Sequence, residues 1–219
     1  MPTPAFRPMA TWRLRQLAGV ACGLLASALP SVAVAAMHAW RFDPVHSQVW
    51  FSADHQGFSH PLGRVRIAGG WFRFDPDDWR TAEVQVTLDM ASADLGDARW
   101  NEAVRGTPFL ATADWPEARF ASQSVEPIGD RGGVIHGTLT LRGVARPVDV
   151  AFTLNRIGND PYAFGRKAGF SATATLRRAD FGMTRFSEVV GPEVRLRLEI
   201  EGIRDDDAAT QPAGGAAWH

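Results

Sequence analysis

Between Val49 and Ile200 the chain passes through a series of stretches in which apolar and polar residues alternate. The cleanest is Glu193-Val194-Arg195-Leu196-Arg197-Leu198-Glu199-Ile200-Glu201, where every second side chain is aliphatic and each of the others is charged. A β-strand turns successive side chains to opposite faces, so this segment has one oily and one watery face, and no helix would sort it so. Val84/Val86/Leu88, Leu139/Leu141 and Val148/Val150/Phe152/Leu154 repeat the parity. The pattern predicts strands near 48–54, 63–74, 82–91, 117–126, 133–142, 147–156, 167–177 and 193–203. Asp75-Pro76-Asp77-Asp78, Gly129–Gly133, Arg142-Gly143 and Asn159-Asp160-Pro161 supply turns between them. Eight half-buried strands with short turns predict an all-β domain, an eight-stranded antiparallel lipocalin-like barrel with one or two short helices. A two-sheet sandwich is the competing architecture.

Interruptions of the alternation carry information too. Val65 and Ile67 hold one parity before Gly69-Gly70, and Phe72 and Phe74 hold the opposite parity after it. One extra residue at a glycine bulge does that, and bulges bend sheets towards closure. The segment Gly96 to Gly106 reads as a short helix with Asp97 as N-cap and Gly106 as its stop. A second helical turn is expected over Arg178–Met183.

The flanks do not alternate. Arg7, Arg13 and Arg15, an apolar run from Leu17 to Leu29, Pro30, and Ser31-Val32-Ala33-Val34-Ala35-Ala36 form a cleavable secretory signal, cut after Ala35 or Ala36. Leu17 to Ala36 is nearly long enough to span a bilayer, but its Ala, Gly, Ser and Pro content favours removal. Gly19 stands where a lipoprotein would carry a large aliphatic residue before Cys22. The expected organisation is therefore a signal over 1–36, one barrel domain over 37–204 and a disordered tail over 205–219 rich in Asp, Ala, Gly and Pro. The destination is the periplasm, with no stable membrane span after the signal is removed.

Without the signal, the 23 basic residues fall to 20 against 24 acidic ones, a net charge near −4. Such a balance gives no electrostatic footprint for nucleic acid. The single cysteine leaves with the signal, so no disulfide is expected. A domain of about 170 residues buries enough surface to stand without one.

Local motifs then bring a family into view. Trp40-Arg41-Phe42-Asp43-Pro44-Val45-His46-Ser47 matches an Asp-x-x-His-Ser opening, and Phe51-Ser52-Ala53-Asp54-His55 followed by Gly63 an F-x-x-x-H segment. Phe109-Leu110 with Trp115-Pro116-Glu117-Ala118-Arg119-Phe120-Ala121-Ser122, then Gly137 to Val148, then Gly169-Phe170 and Arg178-Ala179-Asp180-Phe181-Gly182 follow in order. Together these resemble the YceI-like family, exported lipocalin-like barrels associated with polyisoprenoid or other long-chain lipids. The chain departs from that pattern at Arg99-Trp100-Asn101-Glu102, where the family commonly has Arg-Asp and then His-Leu, and at Trp115 in place of Tyr.

An eight-stranded barrel is either filled by its own side chains or just wide enough for one ligand. Phe170-Ser171-Ala172-Thr173-Ala174-Thr175-Leu176 puts two alanines at mid-strand on the inward face, leaving room that Phe51, Phe72, Phe74, Phe120, Phe152 and Phe170 would wall. Larger neighbours could equally fill that room, and the pattern alone leaves the two readings level. The resemblance favours the hollow one. These eight residues are the candidate ligand-binding set, the cargo a hydrophobic lipid such as a polyisoprenoid, an isoprenoid quinone or a fatty-acid-like chain. No cofactor is implied beyond such a lipid, and a homodimer stays open.

Rival chemistry finds little support. His55 and His60 lie at loop spacing, and His46, His55, His60 and His136 show no metal-binding context, so no metal site is expected. There is no G-x-S-x-G, and His46 and Ser47, as strand neighbours, face opposite ways; no catalytic residue is assigned. Arg178 and Asp180 read as a capping or ion-pair element, and Arg142 and Arg146 as a solvated hairpin end. Phe58, Pro61 and Leu62 make an apolar loop that would suit a docking surface. The alternatives to a lipid carrier are thus a ligand-free envelope interaction module with a solid barrel, and a hydrolase with an unrecognised site.

Overall fold

A computed structural model describes residue 1, residues 37–162 and residues 165–210. Every strand among the described residues lies between His38 and Arg204. The expected signal over 1–36 lies outside the described residues, apart from residue 1.

Alternating apolar residues give nine antiparallel strands: β1 (His38–Phe42), β2 (Gln48–His55), β3 (Leu62–Asp75), β4 (Asp78–Asp94), β5 (Glu117–Pro127), β6 (Gly132–Leu141), β7 (Val144–Asp160), β8 (Gly165–Arg177) and β9 (Val190–Arg204). They form one sheet in the order β1-β3-β2-β9-β8-β7-β6-β5-β4, and the extra pairing of β3 with β4 closes it into a ring. The predicted eight-stranded barrel is there, with one stave made of two pieces. β1 pairs with Trp71–Phe74 of β3 and with Gly202–Arg204 of β9. β2 continues in the same direction, pairing with Leu62–Val65 of β3 and Val190–Glu199 of β9. Residues 43–47 bulge out between the two halves. The five-residue β1 is absent from the predicted strands because so short a segment, ending before Asp43-Pro44, shows too few alternations.

The register of β3 against β4 shifts between Ile67 and Gly69, so the predicted bulge is present. At φ +132°, Gly70 lies so close to β4 that a Cβ would collide with the Gln85 carbonyl oxygen. No L side chain fits that approach without moving the neighbouring backbone.

Residues 98–105 form α1 (Ala98–Arg105), where Asp97 caps the first turn by accepting hydrogen bonds from Arg99 N at 3.0 Å and Trp100 N at 3.1 Å. Arg178–Phe181 makes a 3₁₀ turn ended by Gly182 at φ +76°. Residues 205–210, which the composition assigns to a disordered tail, are bonded to the barrel. Asp205 N donates to the Ala39 carbonyl at 3.0 Å, and Asp206 accepts from Arg204 at 3.0 Å and from Ala39 N at 3.3 Å. Ala208 is buried by this turn. The acidic run looks solvated in the sequence because β1, to which it bonds, lies at the far end of the domain. Residues 211–219 lie outside the described residues.

The tight approach at the bulge yields a test. Gly70→Ala is expected to lower the unfolding free energy by roughly 1–3 kcal/mol, read from the urea midpoint. An unchanged midpoint would mean that β3 and β4 can separate there freely.

Candidate lipid cavity

The inner face of the barrel is built from the alternating residues, and their sizes differ from one end to the other. At the end where β3 and β7 finish, aromatic rings meet. Phe74 stacks on Trp79 with centroids 5.1 Å apart, and Phe170 meets Phe72 and Phe74 edge-on at 5.4 Å each. Phe152 meets Trp79 at 5.4 Å, and Trp40 lies over Phe74 at 5.8 Å. The Trp79 indole N–H donates to the Asp130 carbonyl at 3.1 Å, pinning the plug to the turn between β5 and β6. Offset and edge-to-face pairs of this kind are each worth about 0.5–1.5 kcal/mol beyond their buried area. This end is closed.

Towards the other end the inward strand residues are mostly Val, Leu, Ala and Met, and the lumen widens. A narrow chamber of about 160 Å³ lies against Phe72, Phe120, Phe170, Ala172 and Ala174, and no polar atom of its wall faces the lumen. A wide chamber of about 370 Å³ follows, lined by Phe51, Met90, Leu110, Leu141, Leu176 and Met183 among others. Val49, Leu88, Leu139 and Leu196 border both chambers, so the two adjoin. An apolar cavity of about 150 Å³ is enough to stay dry and hold a benzene ring. Sites for small molecules start near 300 Å³.

The wide chamber meets solvent between α1, the turn after β2 and the segment before β9. Trp100 on α1 and Phe186 both line it, and they are 41% and 49% exposed. Phe109 stacks on Phe186 at 5.9 Å, and His55 lies 5.5 Å from Trp100. Phe58 and Leu62, in the turn beside this mouth, are 85% and 62% exposed.

All eight residues singled out from the sequence lie on the lumen wall, but not as one tunnel. Phe51 lines the wide chamber and the other seven the narrow one. Phe72, Phe74, Phe152 and Phe170 chiefly close the blind end by packing on one another. Strand parity does not show the wide chamber. Its signal in the sequence is the spacing of Trp100, Ala103 and Val104 on α1, a helical stripe facing the lumen.

Arginines hold the irregular backbone around the mouth. Arg142 is not the solvated hairpin end that its position suggests: it donates to the Thr107 carbonyl at 2.8 Å and to that of Phe109, fixing the strip that carries Leu110 inward. Arg146 stays exposed. Arg105 donates to the Ala93 carbonyl at 2.6 and 3.0 Å. Arg178 makes no ion pair with the exposed Asp180; it is buried and bonded to backbone carbonyls of residues 183–191. Burial pushes its pKa down from the ordinary value.

The histidines are dispersed. His136 lies on the outer surface between Asp149 and Glu126, which raise its pKa. His60 lies 3.7 Å from Asp54. His46 Nδ1 lies 2.7 Å from Asp43 Oδ2, in the bulge between β1 and β2. Ser47 is turned away from it, exchanging hydrogen bonds of 3.1 Å with the backbone of Glu201. Asp43, His46 and Glu201 come near enough to hold a cation, but the Lys167 ammonium already lies 3.1 Å from Asp43 and 3.0 Å from Glu201 and from Asp160. This knot ties the bulge to β7, β8 and β9. Burial opposes ionisation of Asp43, yet bonds from His46, Lys167 and two backbone amides outweigh it and hold its pKa below the ordinary 3.8.

A ring of eight antiparallel staves around an apolar lumen is the architecture of lipocalin-like proteins. The YceI-like domain matches residues 40–202, and the chain belongs to the YceI-like family. It is 34% identical over 176 residues to a UPF0312 protein of Shewanella sp. (strain W3-18-1), covering 80% of this chain and 92% of that protein. Burkholderia cenocepacia BcnA superposes with a TM-score of 0.63 at 25% identity, covering 73% of this chain and 98% of BcnA. A polyisoprenoid binding domain from Saccharophagus degradans has the same fold, with a TM-score of 0.56 at 16% identity, over 77% of this chain and 99% of that one.

The Asp43 knot sets an acid limit. A carboxylate held below its ordinary pKa adds stability that is full above that value and lost as pH falls through it. Wild-type stability should therefore fall more steeply between about pH 5 and 2 than that of Asp43→Asn, which should be the less stable of the two at pH 7. Parallel acid limbs in urea titrations would assign the acid sensitivity elsewhere.

Proposed function

We propose that this protein binds a long-chain apolar lipid inside its barrel, as a non-catalytic carrier in the periplasm. The observation that carries this reading is the pair of adjoining chambers inside the barrel, walled almost wholly by carbon. Phe51, Phe72, Phe74, Phe120, Phe152, Phe170, Ala172 and Ala174 would contact the tail, together with Met90, Leu110, Leu141 and Met183 in the wide chamber. The polyisoprenoid-binding relative of the same fold makes a polyisoprenoid one candidate, beside an isoprenoid quinone and a fatty-acid-like chain.

The energetics need no covalent step. Burying a CH₂ group gives about 0.8 kcal/mol, so one five-carbon isoprene unit contributes on the order of 3–4 kcal/mol. Among the described residues no helix is long and apolar enough to cross a membrane. Export rests on residues 1–36, and the mature chain is expected to begin at Ala36 or Met37, as intact mass would read. A mass that retains the leader would remove the periplasmic assignment.

A second reading, an interaction module, draws on the exposure of Phe58 and Leu62. Organic extraction of the purified protein followed by mass spectrometry separates the two. A carrier releases lipid in near-stoichiometric amount, whereas a solid scaffold or docking module releases none. Ala172→Phe or Ala174→Phe, which would fill the narrow chamber, should abolish that yield while thermal unfolding stays cooperative. An unchanged yield would move the ligand out of the narrow chamber.

A further inference from the structure

Carbon lining alone does not account for Arg178. Only 3% exposed, it follows directly on β8 and forms part of the wide chamber's wall beside Leu176, Met183 and Val190. Its Nε donates to the Gly191 carbonyl at 3.0 Å and its Nη2 to the Val190 carbonyl at 2.9 Å. Its Nη1 donates to the Arg185 carbonyl at 2.8 Å and to that of Met183. A guanidinium has five N–H groups, so one hydrogen on Nη2 is left over among the described residues.

The charge is left over as well. The four acceptors are neutral carbonyls, which solvate a cation without cancelling it. Asp180, two residues on, is exposed and makes no bond to it. Asp54 is the one acidic residue on the same wall, and its carboxylate accepts from Gly57 N at 3.0 Å and lies 3.7 Å from His60. A buried charge without a counter-charge is unfavourable, and an incoming anion would relieve it. Tethering the 183–191 segment explains four donors. It does not explain the donor left over on a residue of the chamber wall, nor why the tether is a permanent cation.

Taking the protein to be a lipid carrier, we infer that the cargo is an amphiphile with an acidic head, a carboxylate or a phosphate, whose oxygen takes the remaining Nη2 hydrogen of Arg178. Its tail then runs past Leu139 and Leu196 towards Ala172 and Ala174, with the head at the mouth end. Bonds between charged partners are roughly twice as strong as neutral ones, and stronger still where water is excluded.

The test uses the full chain after delipidation, titrated with hexadecanoic acid, hexadecyl phosphate and methyl hexadecanoate, three ligands with one tail. At least one acid should bind about tenfold or more tightly than the ester, and the stronger of the two names the head. Equal affinities overturn the headgroup inference and leave the carrier reading standing; no binding of any of the three overturns both. A structural role for Arg178 would move acid and ester together. Arg178→Gln should instead abolish the preference by lowering acid affinity to that of the ester, and Arg178→Lys should restore part of it.

Because Arg178→Gln loses several tethers and can fail to fold, a wild-type measurement decides independently. The ¹³C resonance of carboxyl-labelled hexadecanoic acid should show the bound head ionised at pH values where the free carboxyl is already protonated. A bound carboxyl that protonates above its free value would lie in carbon, away from Arg178, and would end the proposal.

Discussion

The structure depends on one geometric constraint: a closed ring of eight antiparallel staves has a fixed girth, and strict alternation assigns every second residue to its interior. Within that girth, bulk decides between hollow and solid. Phe72, Phe74, Trp79, Phe152 and Phe170 converge near one end and fill it. Where the same staves present Val49, Leu88, Leu139, Ala174 and Leu196 instead, the rings no longer converge and space remains. The bulge at Gly70 reverses the parity of β3, so that Val65, Ile67, Phe72 and Phe74 all face inward. Without it, the plug residues would face water.

Polar groups divide between the two ends accordingly. Near the broken stave, Lys167 bridges Asp43, Asp160 and Glu201 outside the lumen, with each carboxylate at hydrogen-bonding distance from its ammonium. At the mouth the chain leaves the ladder and its carbonyls need donors. Arg105, Arg142 and Arg178 supply them, and none of the three uses a carboxylate to do so. Guanidinium groups suit this task because several donors project in a fixed fork. The mouth is consequently held by cations while the lumen stays carbon.

Elements with many alternations are legible in the sequence, because period two is a strong signal over ten residues. β9 and the arms of β4, β6, β7 and β8 follow from it, as do the helix capped by Asp97 and the 3₁₀ turn at Arg178. β1 is not legible: five residues cannot establish a period, and its pairing partners lie thirty and more residues away. The candidate site is half legible. Inward parity finds Phe51, the phenylalanines of the plug and the two alanines, but it misses Trp79, which lies before the alternating part of β4, and it says nothing about which rings meet. The wide chamber depends on Leu110, Met183 and Phe186, from segments without any period, brought to the mouth by arginine clamps that local patterns do not encode. The sequence neighbours of Arg142 and Arg178 suggest a solvated turn and an ion pair, whereas their partners are carbonyls displaced by chain reversal.

A carbon lumen binds strongly but discriminates weakly. Burial free energy grows with each CH₂, and eight isoprene units would nominally exceed the practical ceiling of about 20 kcal/mol on non-covalent affinity. Tail length therefore cannot be selected by affinity alone. On the proposed carrier reading, what the barrel would select is fit: the aromatic plug would set how far a tail penetrates, and Ala172 and Ala174 how thick it is where the lumen narrows. A methylene more or less in an apolar pocket discriminates by only about 1–3 kcal/mol, whereas a mismatched polar contact excludes far more. On that reading, discrimination would lie at the end where the wall ceases to be carbon, and in this chain that end is the mouth, where Arg178 lines the wide chamber.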